Sequence, residues 1–170
     1  VTLEEALNLP KADYYTIPKY QRPYAWTEEN FKELWEDLNN AFCEYKKAKE
    51  MNNKPEYYFM GAVLFVLNNK TIEIIDGQQR ITTFHIMLWY LSFKLSNKEK
   101  YRIEAILKFY QGEPKLKVSA RDSDTFYQVT QNSDIITGNS NMEKSAAFFK
   151  EKMESLEDAS EFANFIIDFI

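Results

Sequence analysis

Thr71-Ile72-Glu73-Ile74-Ile75-Asp76-Gly77-Gln78-Gln79-Arg80-Ile81-Thr82-Thr83-Phe84 is the stretch whose reading decides the fold. Its first part is rich in β-branched residues and predicts a strand over 71–75. Asp76-Gly77 is a turn signal that ends the strand. Ile81, Phe84, Leu88, Leu91 and Leu95 then recur at steps of three and four, the spacing of one helix face. Strand, Asp-Gly turn and helix therefore follow one another with no linker between them.

Upstream, residues 57–67 form a nearly continuous apolar run containing Val63, Phe65 and Val66, which reads as a buried strand. Asn68-Asn69-Lys70 is a turn, so this strand and the 71–75 strand form a hairpin. Before them, Thr27 caps a helix whose first turn carries Glu28 and Glu29, favourable at its positive end. Phe31, Leu34, Trp35, Leu38, Phe42 and Tyr45 give that helix one buried stripe. The polar residues 46–55 read as an exposed connection. Near the start, residues 2–9 predict a short helix that Pro10 ends, and residues 14–17 a short edge strand broken by Pro18. Residues 19–26 read as an extended loop.

Downstream of Asn97 the pattern is helical over 101–110, 123–129, 142–153 and 160–170, with residues 111–117 and 131–141 as connections. Strands early and helices late predict an α+β fold. No internal repeat or low-complexity segment interrupts the 170 residues.

Composition narrows the classes of function. Thirteen Phe, eleven Tyr and three Trp supply a sizeable core, and four Gly with five Pro are too few for a turn-rich β-sandwich. The net charge of −5 gives no global attraction to a phosphate backbone, so nucleic-acid contact would need a local basic patch or another domain. Cys43 is the lone cysteine, which excludes an internal disulfide and a multi-cysteine zinc site and fits a reducing, cytoplasmic compartment. No apolar run approaches the roughly 20 residues that span a bilayer, and Glu4 and Glu5 stand where a signal peptide would be basic. The chain starts at Val1 and closes on the apolar Phe165, Ile166, Ile167, Phe169 and Ile170, which reads as a fragment of a longer protein.

Two segments carry chemistry. In the first, Gly77 permits a positive φ and close approach of a ligand to the backbone. The helix after it offers unpaired N–H groups, a natural anion site. Arg80 adds a planar, permanently charged fork suited to phosphate. Asp76 can hold a divalent metal or orient a water, Gln78 and Gln79 offer neutral donors and acceptors, and Thr82 and Thr83 add hydroxyls. The plainer alternative is that Asp76 and Gly77 merely turn the chain and cap the helix. The second segment, Ile17-Pro18-Lys19-Tyr20-Gln21-Arg22-Pro23-Tyr24-Ala25-Trp26, sets Gln21 and Arg22 among aromatics suited to base stacking. Here the alternative is that Tyr24 and Trp26 staple the loop onto the helix beginning after Thr27. No P-loop sequence occurs.

Together, Ile-Pro-x-Tyr-Gln-Arg-x-Tyr-x-Trp from Ile17, Phe59-x-Gly61 and Asp-Gly-Gln-Gln-Arg-x-Thr-Thr from Asp76 resemble the N-terminal domain of GmrSD-type modification-dependent restriction endonucleases, in the ParB/sulfiredoxin-like group. The resemblance runs from about Ile17 to Leu95, and more loosely through Lys115-Leu116 and Asp124-x-Phe126. It implies a small mixed sheet with flanking helices, then a helical extension. Residues 1–97 would be the nucleotide-handling core and residues 98–170 the extension, continuing into a C-terminal region. It also implies binding and hydrolysis of a nucleoside triphosphate with a divalent metal, expected to be Mg²⁺, and a nuclease domain or partner subunit that cuts modified DNA. Carried over, Asp76, Gln79 and Arg80 would be catalytic, with Asp76 the metal ligand. Gln21, Arg22, Gly77, Gln78, Thr82 and Thr83 would hold the nucleotide, and Tyr24 and Trp26 would be structural or base-stacking. The alternative is a non-catalytic module that binds modified DNA or oligomerises.

The remaining candidates point to structure. His85, the single histidine, lies inside the helix four residues before Trp89 and reads as a packing residue, so the chain has no histidine pair for DNA cleavage. Lys115, Lys117 and Arg121, and Lys98, Lys100 and Arg102, are basic clusters that read as solvated segments, with phosphate contact as the alternative. Asp122 and Asp124 lack further metal ligands. Phe148, Phe149, Phe162, Phe165 and Phe169 read as core or as an interface.

Overall fold

The computed structural model describes residues 1–9, 13–108, 112–131 and 138–170. Pro10 and the parts of the expected 101–110 helix and of the 111–117 and 131–141 connections that fall on residues 109–111 and 132–137 lie outside the described residues. In chain order the elements are α1 (Leu3–Leu7), β1 (Tyr14–Thr16), α2 (Glu28–Glu50), β2 (Leu64–Asn68), β3 (Thr71–Asp76), α3 (Gln78–Ser92), α4 (Asn97–Leu107), β4 (Leu116–Lys117), α5 (Ser123–Gln131), α6 (Asn141–Glu154) and α7 (Ala159–Phe169). The strands form one four-stranded mixed sheet in the order β2-β3-β1-β4. The β2–β3 hairpin is antiparallel, and β1 runs parallel to both β3 and β4. The architecture is α+β, as the sequence predicts.

Three details of the strands depart from the sequence reading. β1 is not an edge strand. It lies inside the sheet, with Tyr15 paired to Ile72 on one side and Leu116 on the other. Pro18 does no harm because it comes after the strand's last residue, so no ladder donor is lost. The second departure is β4, a two-residue strand within the expected 111–117 connection. Two residues are too few to display a period. The third is the 57–67 run, of which only Leu64–Asn68 is strand. Gly61, at φ 97°, breaks the extended course before it. β2 is the sheet edge rather than a buried strand, and Leu64, Val66 and Leu67 are exposed. Phe65 packs inward, edge-on to Tyr15 with ring centroids 5.8 Å apart.

α2 also exceeds its predicted length, continuing through Lys46–Glu50 into the expected connection. Its last turns are polar because they face solvent, and Lys46 and Lys49 reach Asp158 and Glu161 at 3.0 and 2.8 Å. The predicted stripe holds: Phe31, Leu34, Leu38, Phe42 and Tyr45 are buried, and Trp35 packs 5.7 Å from Phe162.

α3 is the centre of the molecule. Every one of its 15 residues except Arg80 is buried. A helix apolar nearly all round can be stable only when enclosed, and α4, α5 and α6 pack around it. The aromatic stripe of the last two helices joins the same core: Phe149, Phe162 and Phe165 are buried against Phe31 and Phe42. The Leu3 N–H bonds to the Ile170 carbonyl, so the two ends of the chain meet. Arg102 ties α4 to α1 and α7 through Glu4 at 2.6 Å and Asp168 at 2.7 Å. Among the described residues no helix is long and apolar enough to cross a membrane.

Candidate functional site

The site forms where β3 hands the chain to α3. Gly77 sits at φ 84°, ψ 9°, the left-handed conformation that lets the helix start at once. A Cβ there would lie 3.1 Å from Val63 Cγ2. Asp76 does not cap the helix. Its exposed carboxylate accepts the Gly77 N–H at 2.8 Å through Oδ1, and α3 begins without a side-chain cap. The backbone N–H groups of Gln78, Gln79 and Arg80 have no partner among the described residues. An uncapped helix start carries a partial positive charge and free donors.

Arg80 is the one residue of α3 that reaches the surface. Its guanidinium lies under the backbone of Gly61, where a Cβ would come within 2.8 Å of Nη1, and Nη1 donates to the Ala62 carbonyl at 3.1 Å. The Phe59-x-Gly61 segment thus supplies the shelf on which Arg80 rests. A side chain at 61 would displace it.

The second motif is fastened to this turn by carboxamides. A tight turn brings the Gln21 N–H onto the Pro18 carbonyl at 3.0 Å. Gln21 Nε2 then donates to the Ile75 carbonyl at 2.9 Å, and Gln21 Oε1 accepts from Gln78 Nε2 at 3.0 Å. Gln79 does more. Its buried Oε1 accepts the N–H groups of Ala25 and Trp26 at 2.7 and 3.3 Å, while Nε2 donates to the Pro23 carbonyl at 3.1 Å. One amide satisfies three backbone groups of the loop, which matters because unpaired buried backbone groups are costly.

The remaining expected site residues divide by burial. The Thr82 and Thr83 hydroxyls donate back along the helix to the Gln78 and Gln79 carbonyls, each at 2.8 Å, and both residues are buried. Tyr24 places its hydroxyl 2.8 Å from Thr83 Oγ1, and burial raises its phenol above the ordinary range. Trp26 packs on the core. Arg22, by contrast, is exposed and makes no ion pair among the described residues. The geometry therefore brings Gln21, Gly77, Gln78, Gln79 and Arg80 together and turns Thr82, Thr83 and the Gln79 carboxamide inward. Asp76 and Arg22 stay open to solvent.

Asp122 was hard to foresee as part of this assembly. Its Oδ2 accepts the Tyr24 N–H at 2.8 Å and the Ser119 hydroxyl at 3.0 Å, so it ties the segment before α5 to the second motif. A contact across 98 residues leaves no local signal. Elsewhere, His85 is buried beside Phe126, and burial pushes its pKa down to about 3, so it is neutral. Lys115 donates to Asn8, and burial lowers its pKa. Among the described residues no three His, Cys, Asp or Glu side chains converge as a metal-binding group.

The whole of this arrangement falls inside one family match: the N-terminal domain of the GmrSD restriction endonuclease corresponds to residues 3–169. The chain belongs to that family. As a GmrSD N-terminal domain it has a role in a restriction system. The match covers α1 to α7, so the helices after residue 97 fall within it as well. No curated protein matches the chain.

Proposed function

We propose that this GmrSD N-terminal domain is the nucleotide-handling sensor of a restriction protein, binding a nucleoside triphosphate at the start of α3 and gating a nuclease carried elsewhere. The observation that supports this most is the uncapped α3 N-terminus flanked by Arg80, with Arg22 one residue beyond the Gln21–Gln78 contact. Free N–H groups and a guanidinium suit phosphate oxygens. In this reading Gln21, Gln78 and Gln79 position the loop and the helix start. Arg22, the backbone of Gly77 and Arg80 receive the phosphates.

A divalent ion at this turn would meet a single free carboxylate oxygen. Asp76 spends one carboxylate oxygen on Gly77 N–H and leaves the other to solvent. With no convergent group of three metal-ligating side chains among the described residues, an ion at Asp76 would complete its shell from phosphate oxygens and water. Mg²⁺ commonly binds in that manner, whereas a structural zinc site would need more side chains. Such an ion would neutralise phosphate charge.

The test is Mg²⁺-dependent release of phosphate from triphosphates by wild type and Arg80→Ala, with circular dichroism to confirm the fold. Arg80 is exposed enough that its loss leaves the core intact. A drop of at least about tenfold is expected, the scale of a charge-assisted contact. Equal turnover by the two proteins would remove Arg80 from the reaction. A second reading, assembly or binding of modified DNA without turnover, is favoured by the exposed apolar residues of the edge strand β2. An open apolar edge invites pairing with a second copy or with the nuclease part. Mass in solution distinguishes a monomer from the self-associated form.

A further inference from the structure

A second candidate site lies apart from the α3 start. It is a cleft of about 730 Å³ beyond the C-terminal ends of β1 and β4, between the segment 16–20 and the segment 117–123. Ligands favour the carboxyl ends of parallel strands, and the volume falls in the range of small-molecule and nucleotide sites. None of Gln21, Arg22 or the residues 76–80 lines it.

Its lining has a particular chemistry. Tyr20 and Tyr127 stand on opposite segments and are 73 % and 62 % exposed, far more than the aromatics of the core. Lys19 and Lys117 line the same cleft, and Arg121 lies between its Ala120 and Ser123. Lys19 and Arg121 make no ion pair among the described residues, and Lys117 rests 3.7 Å from the Tyr14 ring centroid. The two lysines therefore stand on both walls beside two solvent-facing tyrosines. Glu73 and Glu113 also line the cleft. Carboxylates repel phosphate and accept from the exocyclic amino groups of bases, so these two suit a base rather than its phosphates.

The walls are fixed before any ligand arrives. Thr16 pairs with Lys117, and the Ile17 N–H donates to the Lys117 carbonyl at 2.9 Å. Asp122 fastens the far wall to Tyr24. A preformed seat loses little entropy on binding.

We propose that this cleft seats an unpaired nucleotide of a DNA strand, stacking its base on Tyr20 and Tyr127 and setting the adjoining phosphates on Lys19 and Lys117. Exposed aromatics beside cations are the chemistry of single-strand recognition, where stacking and backbone attraction act together. A base held in a duplex cannot enter a cleft of this kind. Two walls open to solvent suit a polymer that continues past the cleft, and the inference stands without the triphosphate reading of α3.

Fluorescence anisotropy with a labelled mixed-sequence single-stranded 12-mer at low salt tests it, using the 170-residue chain. Tyr20→Ala and Tyr127→Ala are each expected to weaken binding by roughly tenfold or more. Both side chains are exposed, so the variants keep the fold. Lys19→Ala combined with Lys117→Ala is expected to flatten the log–log salt dependence by about 1.4. Lys54→Ala, an exposed cation outside the cleft, serves as the charge control and leaves the slope within about 0.7 of wild type. The matching duplex binds more weakly than the single strand. Wild-type affinity in both tyrosine variants, equal affinity for duplex and single strand, or no salt-dependent binding by wild type would each overturn the proposal.

Discussion

The carboxamides of Gln21 and Gln78, 57 residues apart in the chain, meet at 3.0 Å above the end of β3. That contact joins the two motifs directly, and Gln79 beside it completes the joint with three bonds to the loop backbone. The pair of glutamines thereby fixes the loop that carries Arg22 to the turn that starts α3.

Gln79→Ala therefore removes an acceptor from two backbone N–H groups and a donor from the Pro23 carbonyl. A buried, satisfied hydrogen bond contributes about 1 kcal/mol, and leaving its partner unpaired costs more. We expect a loss of roughly 2–4 kcal/mol in chemical denaturation. Gln79→Glu keeps the acceptor oxygens but cannot donate to Pro23, and should fall between the two. A Gln79→Ala protein as stable as wild type would show that the loop is held by other contacts.

Gly77→Ala combines two penalties. The left-handed backbone at φ 84° costs an L-residue on the order of 1 kcal/mol. The new Cβ also meets Val63 at 3.1 Å. Gly112 separates the two effects, because it has φ 81° and open space where its Cβ would be. Gly112→Ala should show the backbone penalty alone. The midpoint of denaturation is expected to fall further for Gly77→Ala, and equal shifts would mean Val63 yields freely.

His85 makes stability depend on pH in a defined window. Burial depresses its folded-state pKa from 6.5 to about 3, so between those values the unfolded chain binds a proton that the native chain does not. The native state is thus favoured fully above about pH 6.5, and this contribution is lost progressively as pH falls toward about 3. At pH 5 the loss from this one group is about 2 kcal/mol relative to pH 7, taking about 1.4 kcal/mol per unit. His85→Met has no such proton to bind, so its denaturation midpoint should drop less between pH 7 and pH 5. Parallel drops in the two proteins would assign the acid sensitivity to carboxylates.

Much of the fold was legible because it is local. The strand–Asp-Gly–helix passage at 71–95 and the stripe from Phe31 to Tyr45 declare their periods within a single element. The interior place of β1 and the existence of β4 do not, since both depend on Tyr15 pairing with Ile72 and Leu116 from distant parts of the chain. The apolar Leu64–Asn68 strand misled for the opposite reason: hydrophobicity marks a face to be covered without saying whether this chain covers it. The motif residues were legible as a group but not one by one. Glutamine and threonine can serve a ligand or their own backbone, and the sequence does not say which. In the fold Thr82 and Thr83 bond to carbonyls four residues back, while Arg22 and Asp76 are left to solvent.

The enclosure of α3 has a mechanical side. A helix gripped on every face inside a close-packed interior has no direction in which to slide by small degrees. Its one handle on the outside is Arg80, near one end. Towards the other, Tyr90 holds the Val129 carbonyl of α5 at 3.0 Å. A pull on that handle is therefore carried along the whole rod to the Tyr90–Val129 bond, because nothing between them gives way by small degrees.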